Sequence, residues 1–249
     1  MRRTLILLVL VLGGGLLASC GKGSRTSTGT HASSARSSKP AGRGAPTSTR
    51  ALAFAKAVNL TSSDVPGFTV SEKHDSSSAG DRRLERQLLR CAGLAGPSKA
   101  VLEESSKSFQ LKHAILDLSV SSEVAVQQSA AAASRGLAAI HNAHVRGCFS
   151  HYLERIFKGQ QVKGATAGPV TIQSGTPPAP GTSGSFGWRV TATFDVHGIK
   201  VPIYLDFLGF VDGPSEVTLL SSGLLRPFPA SVQQHLFALL LARAKAHRL

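Results

Sequence analysis

The clearest periodic signal lies between Gly187 and Ser222. Trp188, Val190, Ala192, Phe194 and Val196 alternate with Arg189, Thr191, Thr193 and Asp195, the two-residue period of a half-buried strand. His197-Gly198 stands where a two-residue hairpin turn belongs, and Ile199, Val201, Ile203, Leu205, Phe207 and Val211 carry the return strand. Asp212-Gly213-Pro214-Ser215 is a second turn signal, and Glu216 to Ser222 a third strand with Val217 and Leu219 inward. An antiparallel meander is predicted. On these parities Arg189 is an ordinary surface residue, and Asp195, Asp206 and Asp212 are solvated carboxylates.

Upstream the pattern is mixed. Leu52 to Asn59 reads as a short helix packing Leu52, Phe54, Ala55 and Val58, followed by a capping-and-turn cluster through Pro66-Gly67 and a short strand from Phe68 to Glu72. Arg82 to Leu94 has helical spacing, with Leu84, Leu88, Leu89 and Cys91 as its apolar positions. Ala114 to Val126 alternates as a strand, long or bulged near Ser121-Ser122. Ser129 opens an alanine-rich helix expected to run to about Phe157, with Ala133, Leu137, Ile140, His144, Cys148, Tyr152 and Ile156 as its stripe. Lys158 to Gly187 reads as a Gly/Pro/Ser/Thr loop with a short strand around Val170 and Ile172; Pro177-Pro178-Ala179-Pro180 stiffens it. A final helix starts at Pro227 to Ser231 and ends in Arg243, Lys245, His247 and Arg248, cations that complement its dipole. Clustered strands with packing helices predict an α+β fold, an antiparallel sheet with flanking helices, in one domain over residues 51–249.

The first 50 residues follow different rules. Arg2-Arg3 precedes an apolar run from Leu5 to Ala18. As a helix it would span roughly 21 Å, short for a bilayer core of roughly 30 Å. It reads as a signal peptide, residues 1–19. Leu17-Ala18-Ser19-Cys20 resembles the lipobox of bacterial lipoproteins. That resemblance implies diacylglyceryl transfer to the Cys20 thiol, cleavage before it, and a membrane anchor of fatty acyl chains such as palmitate. Two such chains give stable anchoring where one is marginal. From Gly21 to Arg50 there is no acid and no bulky apolar residue, so residues 20–50 are expected to form a disordered basic tether.

Charge then changes little. The chain carries +14 in all, but residues 1–50 hold eight of the 28 basic residues and none of the 14 acidic ones. The body is only mildly basic, has few aromatic residues and shows no nucleic-acid-binding motif, so no nucleic-acid partner is expected. Export would place the body where disulfides persist. With Cys20 acylated, Cys91 and Cys148 can pair in only one way, closing 57 residues and joining two helices. Two buried free thiols are the alternative. His141, His144, Cys148 and His151 fall at spacings of three, four and three and could share a helix face. His with Cys suits zinc or copper. A disulfide would remove Cys148 from such a set, and three histidines on one helix make poor tetrahedral geometry, so no metal and no cofactor is expected. Neither a Gly-x-Ser-x-Gly elbow nor a His-Glu-x-x-His motif is present. Asn59-Leu60-Thr61 matches a glycosylation triplet, a common chance occurrence.

"LTSSDVPGFTV", "CAGL" after a helix, a strand leading into "QQSAAAA", a cysteine late in the long helix, the meander and the closing helix together resemble the extracytoplasmic sensor-like domains of actinobacterial lipoproteins and receptor kinases. The resemblance implies a PsbP-like α/β sandwich and a non-catalytic binding or sensory module. No kinase domain accompanies it, so signalling in cis is not expected. The reading is a lipoprotein on the outer face of the cell membrane, held by Cys20, that binds an unidentified ligand or protein of the envelope. A carrier of a lipid or other apolar ligand, and less readily an envelope hydrolase or metal protein, are the alternatives.

Overall fold

The computed structural model describes residues 46–71, 79–93, 100–113, 116–159 and 165–249. The expected signal peptide, Cys20 and residues 21–45 of the expected tether lie outside them; Ser48 to Arg50, expected in the tether, open a helix instead. In chain order the elements are α1 (Ser48–Val58), β1 (Thr69–Ser71), α2 (Ala79–Cys91), β2 (Leu102–Ser105), β3 (Ser108–His113) and β4 (Leu116–Val126). They continue with α3 (Ala130–His141), α4 (Ala143–Gly159), β5 (Ala165–Gly175), β6 (Gly184–Val196), β7 (Ile199–Asp212), β8 (Ser215–Leu224) and α5 (Ala230–Ala246). The expected α+β class holds. One antiparallel sheet runs β1-β3-β4-β8-β7-β6-β5, and β2 pairs with β4 beside β3.

The meander forms as its alternation predicts. His197 (φ 53°) and Gly198 (φ 83°) take the two left-handed positions of the turn, and Gly198 N–H donates to Asp195 Oδ1 at 2.8 Å. This turn fixes β6 against β7 from Val196↔Ile199 to Gly184↔Val211. At Gly209 a Cβ would run into the Phe186 ring, so only glycine lets that ring cross β7.

Both faces of the sheet carry a core. On one face Trp188, Val190, Phe194, Leu205, Phe207 and Val211 pack under α3 and α4. Phe149 sits 5.0 Å from the Trp188 ring centroid and 6.2 Å from that of Phe207, and Phe157 meets Phe194 edge-on at 5.6 Å. On the other face Val120, Val124, Val126, Phe210, Val217 and Leu219 pack against Phe54 and Val58 of α1 and Leu236, Phe237 and Leu240 of α5. Burying each of these large side chains contributes roughly 1.5–3 kcal/mol. Strand β8 lies between β4 and β7, so every residue from Ser215 to Ser221 is buried, and no parity of it is outward.

Three expectations require correction. The helix predicted from Ser129 to Phe157 is two helices. Asn142 breaks it with an extended backbone (ψ 125°), and its side chain accepts from the His144 N–H at 2.8 Å, restarting the helix as α4. Residues 102–113, with no strand expectation, supply β2 and β3. Strand β4 is long, as its alternation allows, and runs in unbroken register along β8 from Leu118 to Val126; on its other edge, opposite Ser121-Ser122, β2 gives way to β3 at Ser106. There Ser106 Oγ accepts from Ser122 N–H, Ser122 Oγ donates to Asn59 Oδ1 at 2.7 Å, and Asn59 Nδ2 donates to Glu104 O. Asn59 is buried by this network, which closes it to glycosylation. Finally, β5 is a full strand of 11 residues, bulged between Ala167 and Val170 beside Pro169, rather than a short piece inside a loop.

Arg189 and Asp206 are not solvated surface groups. They are cross-strand partners on the α5 side of the sheet, joined by Nε–Oδ1 at 2.6 Å and Nη2–Oδ2 at 3.1 Å. Asp206 is 3% exposed. A second ion pair ties α5 to the turn after α1, with Arg243 donating twice to Asp64 at 2.7 and 2.8 Å. Burial alone would raise the Asp64 carboxyl; the hydrogen bonds from Arg243 and Thr61 overcome it and hold it below the usual carboxylate range.

Candidate functional site

Cys91 and Cys148 form a disulfide with Cα atoms 5.7 Å apart, fastening the end of α2 to the middle of α4. His144 Nε2 donates to Cys91 O at 2.7 Å and lies 3.8 Å from Cys148 Sγ. Among the described residues Cys91, His144 and Cys148 are the set whose ligand atoms gather within 4.8 Å. Both sulfurs are bonded to each other, so the set offers only an imidazole. The other two histidines go elsewhere. His141 Nε2 sits 3.1 Å from Ser185 O, and His151 faces solvent beside Glu154 at 3.7 Å. The fold therefore separates His141, His144 and His151.

The site that stands out chemically was not legible as one. The α3–α4 face of the sheet is apolar on β5, β6 and β7 but polar on β2, β3, β4 and part of β8. Register places Glu103 of β2, Ala125 of β4 and Glu216 of β8 in one row. Residues in such a row point to the same side of the sheet, so the two carboxylates flank the small Ala125. The adjacent row holds Ser105, Glu123 and Thr218. A further row holds Thr69, Gln110, Ser119 and Ser222, with Ser119 and Ser222 joined Oγ to Oγ at 2.7 Å. Glu123, Gln110, Thr218 and Glu216 are all buried.

Glu216 is 3% exposed, and its Oε2 accepts no hydrogen bond; nor does the buried Oε1 of Glu103. A side chain at Gly136 would meet Glu216 Oε2 at 3.7 Å, so α3 passes directly over the carboxylate. Burial, reinforced by the charge of Glu103, pushes Glu216 up to about 7. Burial, reinforced by the charge of Glu85 on α2, likewise pushes Glu103 up to about 7. A buried carboxyl oxygen that accepts no hydrogen bond is costly. Glu216 carries one such oxygen, and the half-buried Glu103 another.

Their effect on stability has a definite sign. A carboxyl raised from 4.5 to about 7 binds more protons folded than unfolded between those values, so stability falls as pH rises through that window. Glu216→Gln removes the ionisation. It is expected to raise the unfolding free energy by on the order of 2–3 kcal/mol at pH 8 and to leave it nearly unchanged at pH 4.5. Urea unfolding at the two pH values checks this; an equal effect at both would show that Glu216 is not held neutral.

The signals for this site were hidden by the strand pattern. Glu216 takes the parity opposite to Val217 and Leu219, which reads as outward until β8 is known to be central. Glu103 sits in "LEES", a stretch with no β-branched residue.

The fold and site define an α+β module with one buried and one half-buried carboxyl, Glu216 and Glu103, that have no described cationic partner. No protein-family model and no curated protein matches the sequence. Among solved structures the chain is similar to the extracellular domain of PknH from Mycobacterium tuberculosis, at 13% identity and a TM-score of 0.38, over 82% of this chain and 100% of that one. It is also similar to PA94, a protein of unknown function from Pseudomonas aeruginosa, at 12% identity and a TM-score of 0.25, over 73% and 95% of the two chains.

Proposed function

We propose that this chain is a lipid-anchored, extracytoplasmic, non-catalytic binding module whose ligand presents a cationic group to Glu103 and Glu216. The single observation that carries the ligand reading is Glu216, almost fully buried with an oxygen that accepts no hydrogen bond. A ligand ammonium group supplies both the missing donors and the missing charge. No three of these carboxylates gather ligand atoms within 4.8 Å among the described residues, which favours an extended organic cation over a bare metal ion.

One further observation weighs against the carrier alternative. An apolar-ligand carrier would need space between the Trp188–Val211 hairpin and the helices above it. That interface is filled by the rings of Phe149, Phe157, Phe194 and Phe207.

The extracytoplasmic reading rests on the lipobox at Cys20 and on the Cys91–Cys148 disulfide, a bond that persists in oxidising compartments. No described helix is long and apolar enough to cross a membrane. Cys20→Ala is expected to abolish acylation and release the protein from the membrane fraction. Unchanged membrane retention would end the anchor reading. Native mass spectrometry of the protein purified at neutral pH from its natural host tests the ligand reading: a small amine-bearing adduct is expected on the wild type and not on Glu216→Gln. An adduct retained by both proteins would contradict it.

A further inference from the structure

A cavity elsewhere in the molecule lies at the opposite chemical extreme. It opens between the start of α1, the start of α3, the end of α5 and the Gly213-Pro214 turn, with a volume of about 540 Å³. That is within the range of small-molecule sites. Arg50 of α1 and Arg248 beyond α5 line it. Arg50 Nη2 donates to the Arg248 carbonyl at 3.4 Å, which holds the two residues together. Neither guanidinium pairs with a described carboxylate. Lys245 Nζ lies 3.5 Å from where a Cβ on the lining residue Gly181 would stand. Asp212 is the one acidic side chain in the lining, and Phe54, Ala244 and Leu249 give the cavity an apolar wall.

Two helices also begin here. Thr47 caps α1 and Ser129 caps α3, and neither helix has an acidic residue in its first turn, so their positive ends are not neutralised locally. The cavity adjoins Pro46, where the segment bearing Cys20 joins the folded body in sequence.

We infer that this cavity binds a phosphate-bearing ligand. The guanidiniums of Arg50 and Arg248 take the phosphate oxygens, as the planar fork of arginine favours. The apolar wall takes the carbon part of the ligand. Two sources share this chemistry: an anionic lipid headgroup and a free phosphate compound. The site is separate from the Glu103–Glu216 row, and neither inference depends on the other.

The test is calorimetric titration of the full chain at low salt with two probes, inorganic phosphate and dihexanoyl phosphatidylglycerol below its micelle concentration. Binding at one per chain is expected for the lipid, for phosphate or for both, weakened at least about tenfold in Arg50→Ala/Arg248→Ala. A response to the lipid alone assigns the site to a headgroup; a response to inorganic phosphate assigns it to the phosphate itself. No binding of either probe overturns the inference. So does undiminished affinity in a double variant that melts like the wild type. If the alanine variant melts early, Arg50→Lys/Arg248→Lys replaces it in the comparison. The lysine pair keeps the charge and loses the bidentate fork, so an intermediate loss is expected and no loss contradicts the inference.

Discussion

Replacing both Cys91 and Cys148 by alanine is expected to lower the unfolding free energy by about 4 kcal/mol. The bridge closes a loop of 57 residues, which limits the unfolded chain more than a short loop would. Its loss acts on an exposed junction. Cys91 lies at the end of α2, and beyond the bond itself α2 is held to α4 by the His144–Cys91 and Arg155–Gln87 hydrogen bonds and by Leu88 and Leu89 in the core. The double variant should therefore unfold at lower urea, with α2 exchanging its amides ahead of the sheet. Urea titration and hydrogen exchange check both parts. A midpoint unchanged by the substitution would mean that the bridge does not constrain the chain.

The second large effect is expected from Arg189→Ala. Its loss leaves Asp206, 3% exposed, with neither of its two charged hydrogen bonds. Breaking a fully buried pair costs about 3–5 kcal/mol. The Arg189 side chain is 38% exposed and part of that charge is screened, so about 3 kcal/mol is expected. Arg189→Ala/Asp206→Asn should recover most of the loss, because the buried charge goes with its partner. A double variant as unstable as the single one would place the cost in lost packing instead.

The meander was legible in the sequence because each strand alternates and each turn carries its own residues. The turn at His197-Gly198 also sets Arg189 opposite Asp206, a pairing that parity alone reads as two solvated charges. What stayed hidden depends on long-range order. Strand β8 is flanked by β4, which precedes it by some 90 residues in the chain, and only that placement buries the second face of β8 and with it Glu216. Strands β2 and β3 share one edge of β4 and carry Glu103 and Gln110 on a polar face; β2 (LEES) lacks the apolar period that marks a strand, and in β3 only Phe109 and Leu111 carry it. The disulfide was legible as a pairing, while the break at Asn142 was masked by the surrounding alanines. The acidic row was thus assembled from strands that the pattern either missed or oriented outward.

That row is where the functional account is most exposed. Its most direct test is calorimetric titration of the protein at pH 8 with 1,5-diaminopentane, a probe carrying two ammonium groups on an apolar spacer. One probe is expected to bind per chain, with affinity reduced at least about tenfold in Glu216→Gln and in Glu103→Gln, and falling as the pH drops below about 7, where both carboxyls are protonated. No binding, or binding of equal strength in Glu216→Gln, would contradict it.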